Sequence, residues 1–144
     1  MISFDIKNVE MPDLDYPKVE IWLNDVASSH SRRIGKLNYL FCDDEEILKV
    51  NRDFLQHDYF TDIITFDYSY KEKVSGDIFI SLDTVRSNAI DLNVDYISEL
   101  LRVLAHGLLH LCGIDDKAPG QRQIMEANEN DALFLYNNLT NSSR

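Results

Sequence analysis

The sequence predicts an α/β (α+β) fold, a mixed sheet of about four strands packed with helices and a C-terminal half that is entirely helical. Three observations predict it. Strand-period and helix-period segments alternate through the first half of the chain. Two adjacent β-rich runs joined by a short charged segment read as a hairpin. From Asp83 onward the apolar residues keep helical spacing. Strand–helix–strand units pair in parallel through right-handed crossovers, and the hairpin adds an antiparallel edge to the layer that the helices cover.

The elements follow in order. "MISFDIKNV" alternates Ile2, Phe4 and Ile6 with polar neighbours and reads as a strand. After the turn marked by Pro12, "YPKVEIWLNDVASSH" carries Val19, Trp22, Leu23 and Val26 at helical spacing, with Pro17 suited to a first turn. "IGKLNYLFCD" puts Leu37, Tyr39 and Phe41 on one strand face. The acids of "DDEEILKVNRDFL" suit a helix N-terminus, and Ile47, Leu48, Val50 and Phe54 are its expected buried set. "DIITFDYSY" and "SGDIFISL" form the hairpin across "KEKV". Three helices are expected at Thr84–Leu92, Asp95–Cys112 and Pro119–Tyr136. The chain reads as one domain over 1–144, with 136–144 a frayed polar tail.

Composition narrows the function classes. There is no apolar run of about 18 residues and no basic-plus-apolar leader, so the expected setting is cytoplasmic, with no membrane partner. Cys42 and Cys112 match no zinc or disulfide framework and read as reduced thiols. A net charge of −11 excludes a general nucleic-acid coat but leaves room for a local basic surface. Arg32, Arg33 and Lys36 in "HSRRIGK", with Lys71 and Lys73 in the hairpin, are the local concentrations; solvated surface charge is the plainer reading of both.

The chemistry concentrates in "HGLLHLCGIDD". His106 and His110 are four apart on a helix that is apolar nearly all round, so one imidazole stands above the other. Such a pair can reach one zinc ion at about 2.0–2.1 Å. Gly113 then terminates the helix in a left-handed conformation, and a chain turned back there brings Asp116 beneath the ion. His106, His110 and Asp116 are thus a three-ligand metal frame with a fourth position for water. Asp115 is the second-ranked carboxylate, and Cys112, on another face, is a packed thiol. A zinc protease would carry glutamate beside its first histidine; Gly107 supplies no such base and is expected to let another backbone or a substrate approach closely.

These residues resemble the YbeY-type metal-dependent endoribonucleases, single-strand-specific ribosomal RNA maturation factors. That family's motif reads His-Gly-x-x-His-Leu-x-Gly-Tyr-Asp-His. The chain matches it at His106, Gly107, His110, Leu111, Gly113 and Asp115, and departs from it at Ile114 and at Asp116, where the family has a third histidine. "FTDIITF" is similar to a second family segment through Thr61, Asp62 and Phe66, with Phe60 and Thr65 as departures, and "GDI" at Gly76, Asp77 and Ile78 is similar to a third. The similarity spans roughly residues 45–130.

The resemblance implies a zinc-dependent endoribonuclease, one Zn²⁺ per chain, whose metal-activated water acts on a phosphodiester. It implies maturation of the 16S ribosomal RNA 3′ end and ribosome quality control, with single-stranded RNA and the ribosome or its small subunit as partners. The catalytic proton-transfer residue stays open among Asp62, Asp77 and Asp115. Many family members carry an RNA-contacting arginine where this chain has Leu55, so that role is not carried over; Arg52 and His57 are the nearest substitutes. The rival readings are a zinc peptidase-like hydrolase and a non-catalytic ribosome assembly factor with a structural metal.

Overall fold

The computed structural model describes residues 1–55 and 61–139. His57, Phe60 and the end of the polar tail lie outside the described residues. The strands are β1 (Ile2–Ile6), β2 (Arg33–Cys42), β3 (Ile63–Asp67) and β4 (Lys73–Ser81); the helices are α1 (Tyr16–Ser29), α2 (Asp44–Val50), α3 (Leu82–Leu92), α4 (Tyr96–Leu111) and α5 (Gln121–Leu139). They form the expected four-stranded mixed sheet in the order β1-β2-β4-β3. β1 and β4 both run parallel to β2, and β3 closes antiparallel on β4 with Ile63 opposite Ile80 and Asp67 opposite Gly76.

Period-2 alternation assigns the two faces of the sheet. Leu37, Tyr39 and Phe41 of β2 and Val74, Ile78 and Ile80 of β4 are buried on the face covered by α1, α3, α4 and α5, where the main core lies. On the other face α2 covers only one end, closing a small core of Cys42, Ile47, Val50 and Ile64 flanked by Phe66 and Phe79. Both cysteines are free and buried. Burial pushes their thiols up, Cys42 to about 12 and Cys112 to about 11, so they pack as apolar groups.

Three details fix α4, the helix of the histidines. Asp95 caps it, accepting from the Ser98 N–H at 3.4 Å. The buried Tyr39 hydroxyl donates to the Leu104 carbonyl at 2.8 Å, pinning the helix to β2. Gly107 lets the helix settle on the sheet, since a β-carbon there would stand 3.0 Å from the Cδ1 atoms of both Ile63 and Ile78. The close approach expected of Gly107 is therefore to isoleucine side chains of β3 and β4, not to a backbone or a substrate. Helix α5 is held in turn by the Trp22 indole, which donates to the Ala132 carbonyl at 2.6 Å across from α1.

Two boundary expectations are corrected. The segment after α2 continues as a single π-helical turn, Asn51–Leu55. That wider turn rotates Phe54 off the buried stripe, so it is 69% exposed while Ile47 and Val50 are buried. It retains an edge-on contact with Phe66, ring centroids 6.0 Å apart. Helix α5 starts at Gln121 and runs to Leu139, so residues 136–139, read as tail, are helical; Tyr136 packs edge-on against Trp22 at 5.1 Å.

Candidate metal centre

The end of α4 shapes the site. Cys112 is its last half-helical residue and Gly113 follows at φ +97°. The Gly113 N–H donates to the His110 carbonyl at 3.0 Å and the Ile114 N–H to Leu109 at 3.1 Å, the paired bonds of a Schellman ending. Ile114 packs against the main core and locks the bend. The returning chain places Asp116 against both imidazoles, its Oδ2 3.4 Å from His106 Nε2 and its Oδ1 3.5 Å from His110 Nε2.

Those distances are informative. They exceed the about 2.7–3.2 Å of a good N–H···O bond. Each is close to the separation, about 3.3–3.4 Å, between neighbouring ligands that lie about 2.0–2.1 Å from a zinc ion, with a different Asp116 oxygen turned to each imidazole. One donor atom from each of His106, His110 and Asp116 lies within 4.8 Å of the others, and all three residues are partly exposed. The donor set fits a single divalent ion with an open position toward solvent.

Behind His106 stands a group that no sequence motif flagged. Its Nδ1 lies 2.7 Å from Glu129 Oε2, on α5. Glu129 is buried, and its other oxygen accepts from Arg102 Nη1 at 2.9 Å, while Arg102 Nη2 reaches Asn130 Oδ1 at 2.8 Å. Burial alone would raise the Glu129 pKa, but His106 and Arg102 outweigh it and hold the carboxyl below its usual range. An ionised carboxylate only accepts, so Nδ1 carries the proton and Nε2 is left free toward Asp116. This is the carboxylate–histidine support that metal-binding imidazoles use. A signal did exist, because Glu129 sits on the buried stripe of α5 with Met125 and Ala132, where a carboxylate needs a partner.

Of the three carboxylates considered for proton transfer, the structure separates one. Asp62 lines the same cleft as the histidines. Burial raises its pKa, opposed by His106 and its own backbone N–H and reinforced by Glu129 and Asp116. Asp115 lies 3.7 Å from His110 Nδ1, beyond hydrogen-bond reach, with a mostly exposed side chain. Asp77 lies on the opposite face of the sheet, where it accepts from Asn38 Nδ2 at 2.9 Å, and Asn38 accepts from Ser3 at 2.5 Å. It is a rung of a polar ladder across three strands and is not part of the site.

The site opens onto a cleft of about 1370 Å³ between α4, α5, β3 and the π-helical turn. Asp62, Glu99, Asp115, Asp116, Glu126 and Glu129 line it against Arg102, Lys117 and Arg122, so its own field attracts cations. Leu55, the position for which the resemblance would call for an arginine, lines it too.

The metal-free centre should be pH-sensitive in both directions. Burial favours neutral His106, but the Glu129 hydrogen bond and charge, with Asp116 and Asp62, prevail and raise its pKa. A raised histidine stabilises the fold fully below its unfolded value, about 6.5, and that stability disappears as pH rises through the folded value. The depressed Glu129 contributes above about 4.5 and is lost as pH falls through its folded value. Thermal unfolding in EDTA should therefore give a melting temperature that peaks in mildly acidic solution and declines on the alkaline side. A flat alkaline side would contradict the His106–Glu129 pairing.

Fold and site together define a class: α/β proteins whose central helix and the bend after it present a candidate three-donor cation site to an acidic cleft. The endoribonuclease YbeY family profile matches residues 2–137, well beyond the segment that carried the resemblance. The chain is 56% identical to the endoribonuclease YbeY of Phocaeicola vulgatus over 135 residues, covering 94% of this chain and 98% of that protein. It is 53% identical to that of Bacteroides thetaiotaomicron over 134 residues, covering 93% and 98%. The chain belongs to the endoribonuclease YbeY family. Its fold is similar to the solution structure of TM1509 from Thermotoga maritima, with a TM-score of 0.69 at 24% identity, covering 99% of this chain and 93% of that one. No helix among the described residues is long and apolar enough to cross a membrane.

Proposed function

We propose that this member of an endoribonuclease family is a zinc-dependent, single-strand-specific enzyme that matures the 3′ end of 16S ribosomal RNA in the cytoplasm. Action on precursor within the small subunit, and in ribosome quality control, belongs to the same proposal. His106, His110 and Asp116 hold the ion. The observation that supports the reading is the Asp116 carboxylate standing 3.4 and 3.5 Å from the two Nε2 atoms, one oxygen toward each, with Glu129 against His106 Nδ1 at 2.7 Å behind them. A mixed imidazole–carboxylate set suits zinc, with the fourth position open.

When bound, the ion supplies Lewis acidity to a phosphoryl oxygen and to water. The chain's own residues do the rest. Glu129 holds the His106 ring and is itself held by Arg102. Asp62, kept protonated to higher pH than an ordinary carboxyl, faces the cleft as the proton-transfer group. Gly107 points its missing side chain into the sheet, so the base of a zinc peptidase has no equivalent beside His106.

The test is cleavage of labelled single-stranded and duplex RNA of one sequence by purified protein. Single strands should be cut, duplexes spared, activity lost in chelator and restored by zinc. Asp62→Asn should keep zinc and lower kcat by about a hundredfold. Zinc-loaded wild type that cuts neither RNA would leave the assembly-factor reading in possession.

A further inference from the structure

Two basic runs that the catalytic reading leaves unused become one surface in the fold. Arg33 and Lys73 are register partners on β2 and β4. The Lys73 stem lies over Gly35, where a β-carbon would stand 2.6 Å from its Cγ and Cδ, and the Lys36 N–H donates to Ser75 Oγ at 3.1 Å. Arg33, Lys36, Lys71 and Lys73 are exposed and Arg32 is partly so. Segments 30–36 and 67–73 together hold these five cations against two carboxylates, Asp67 and Glu72, in a chain of net charge −11. Glu72 pairs with Arg33 at 3.6 Å, both side chains more than half exposed, a pairing that water largely screens. Arg32, Lys36, Lys71 and Lys73 make no ion pair among the described residues.

Aromatic rings are interleaved with these charges. Tyr68 is 63% and Tyr70 72% exposed, in the connection between β3 and β4. Their backbone is fixed, because the Tyr68 N–H donates to Ser75 at 2.9 Å and Tyr70 and Lys73 exchange both bonds at 3.0 Å. Lys71 Nζ stands 5.3 Å from the Tyr70 ring centroid. The surface also adjoins the metal centre. Arg32 Nη2 lies 3.7 Å from where a Gly113 β-carbon would be, at the bend that joins His110 to Asp116. The cleft itself is acidic and suits a cation better than a string of phosphates, so a polyanion needs its grip elsewhere.

We infer that the β3–β4 hairpin tip and the start of β2 form the strand-holding surface for the substrate, gripping the single-stranded RNA that leads away from the metal centre. The inference rests on the endoribonuclease reading. Cations take phosphates while Tyr68 and Tyr70 stack bases, which only unpaired nucleotides offer.

The test is fluorescence anisotropy of end-labelled single-stranded RNA of about 16 nucleotides against the full chain, with EDTA keeping the strand intact. Lys71→Ser/Lys73→Ser should reduce the slope of log affinity against log salt by about 1.4, at about 0.7 per lost contact. Tyr68→Ser/Tyr70→Ser should raise Kd about fivefold or more per ring and leave that slope unchanged. Circular dichroism confirms that each variant is folded. Wild-type affinity and slope in both variants would overturn the assignment, as would a wild type that fails to bind. Displacement of the RNA by polyglutamate at equal charge would hand the surface to an acidic polypeptide and overturn it too. If zinc-loaded wild type still cuts single-stranded RNA in any of those cases, the proposed function stands and only this surface fails.

Discussion

Replacing His110 with alanine should abolish metal binding and lower RNA cleavage by at least about a thousandfold, while the protein stays folded. The size follows from the ion's share of the work, several kcal/mol of transition-state stabilisation, where about 4 kcal/mol corresponds to a factor of about a thousand. The fold should survive because His110 is partly exposed and its side chain meets only polar or ring neighbours at the site's rim, Asp115 at 3.7 Å, Asp116 at 3.5 Å and the His106 ring edge-on at 5.1 Å between centroids. Loss of these carries about 1 kcal/mol at most, in keeping with surface pairs. Zinc content after dialysis, melting temperature and cleavage are measured together. Asp116→His, which installs the histidine of the family motif, should retain zinc because the number of donors is kept. A His110→Ala protein that holds zinc with wild-type affinity and cuts normally would remove the ion from the mechanism.

The contrast between what was legible and what was not has a physical basis. His106, His110, Gly113 and Asp116 lie within eleven consecutive residues, and helical geometry plus one left-handed bend suffices to converge them. The sheet was equally legible, because alternation in β2 and β4 states which side chains face the helices. Phe54 was misplaced because a π-helical turn breaks the 3.6 period that its assignment assumed. Asp77 could not be excluded in advance, since strand alternation alone does not say which face carries α4. Glu129 escaped because its partners, Arg102 and His106, lie on another helix and only packing of α5 on α4 brings them together. The basic surface escaped for a similar reason: parallel pairing of β2 with β4 makes Arg33 and Lys73 neighbours, and no local pattern announces that pairing.

Glu129→Gln should weaken zinc binding about 10–100-fold, the usual effect of removing a carboxylate behind a metal-binding histidine. The argument is one of donors and acceptors. Glu129 accepts at both oxygens, from Arg102 at one and from His106 at the other. Glutamine has one acceptor and one donor group. If its amide faces Arg102, two donors oppose each other in a partly buried site and the side chain is expelled. If its amide faces His106, Nδ1 must accept, which moves the ring proton to Nε2, the atom that faces Asp116. Either arrangement spoils the ion's seat without touching a ligand. Arg102→Met should have a smaller effect in the same direction, since it leaves both Glu129 oxygens but loosens one. The tautomer effect has its own signature: the alkaline decline in the metal-free melting temperature should flatten in Glu129→Gln, because the carboxylate that raises the His106 pKa is gone. Zinc affinity is read by chelator competition, independently of cleavage. Wild-type affinity in Glu129→Gln would mean that the 2.7 Å contact orients nothing, and that the His106 ring is held by packing alone.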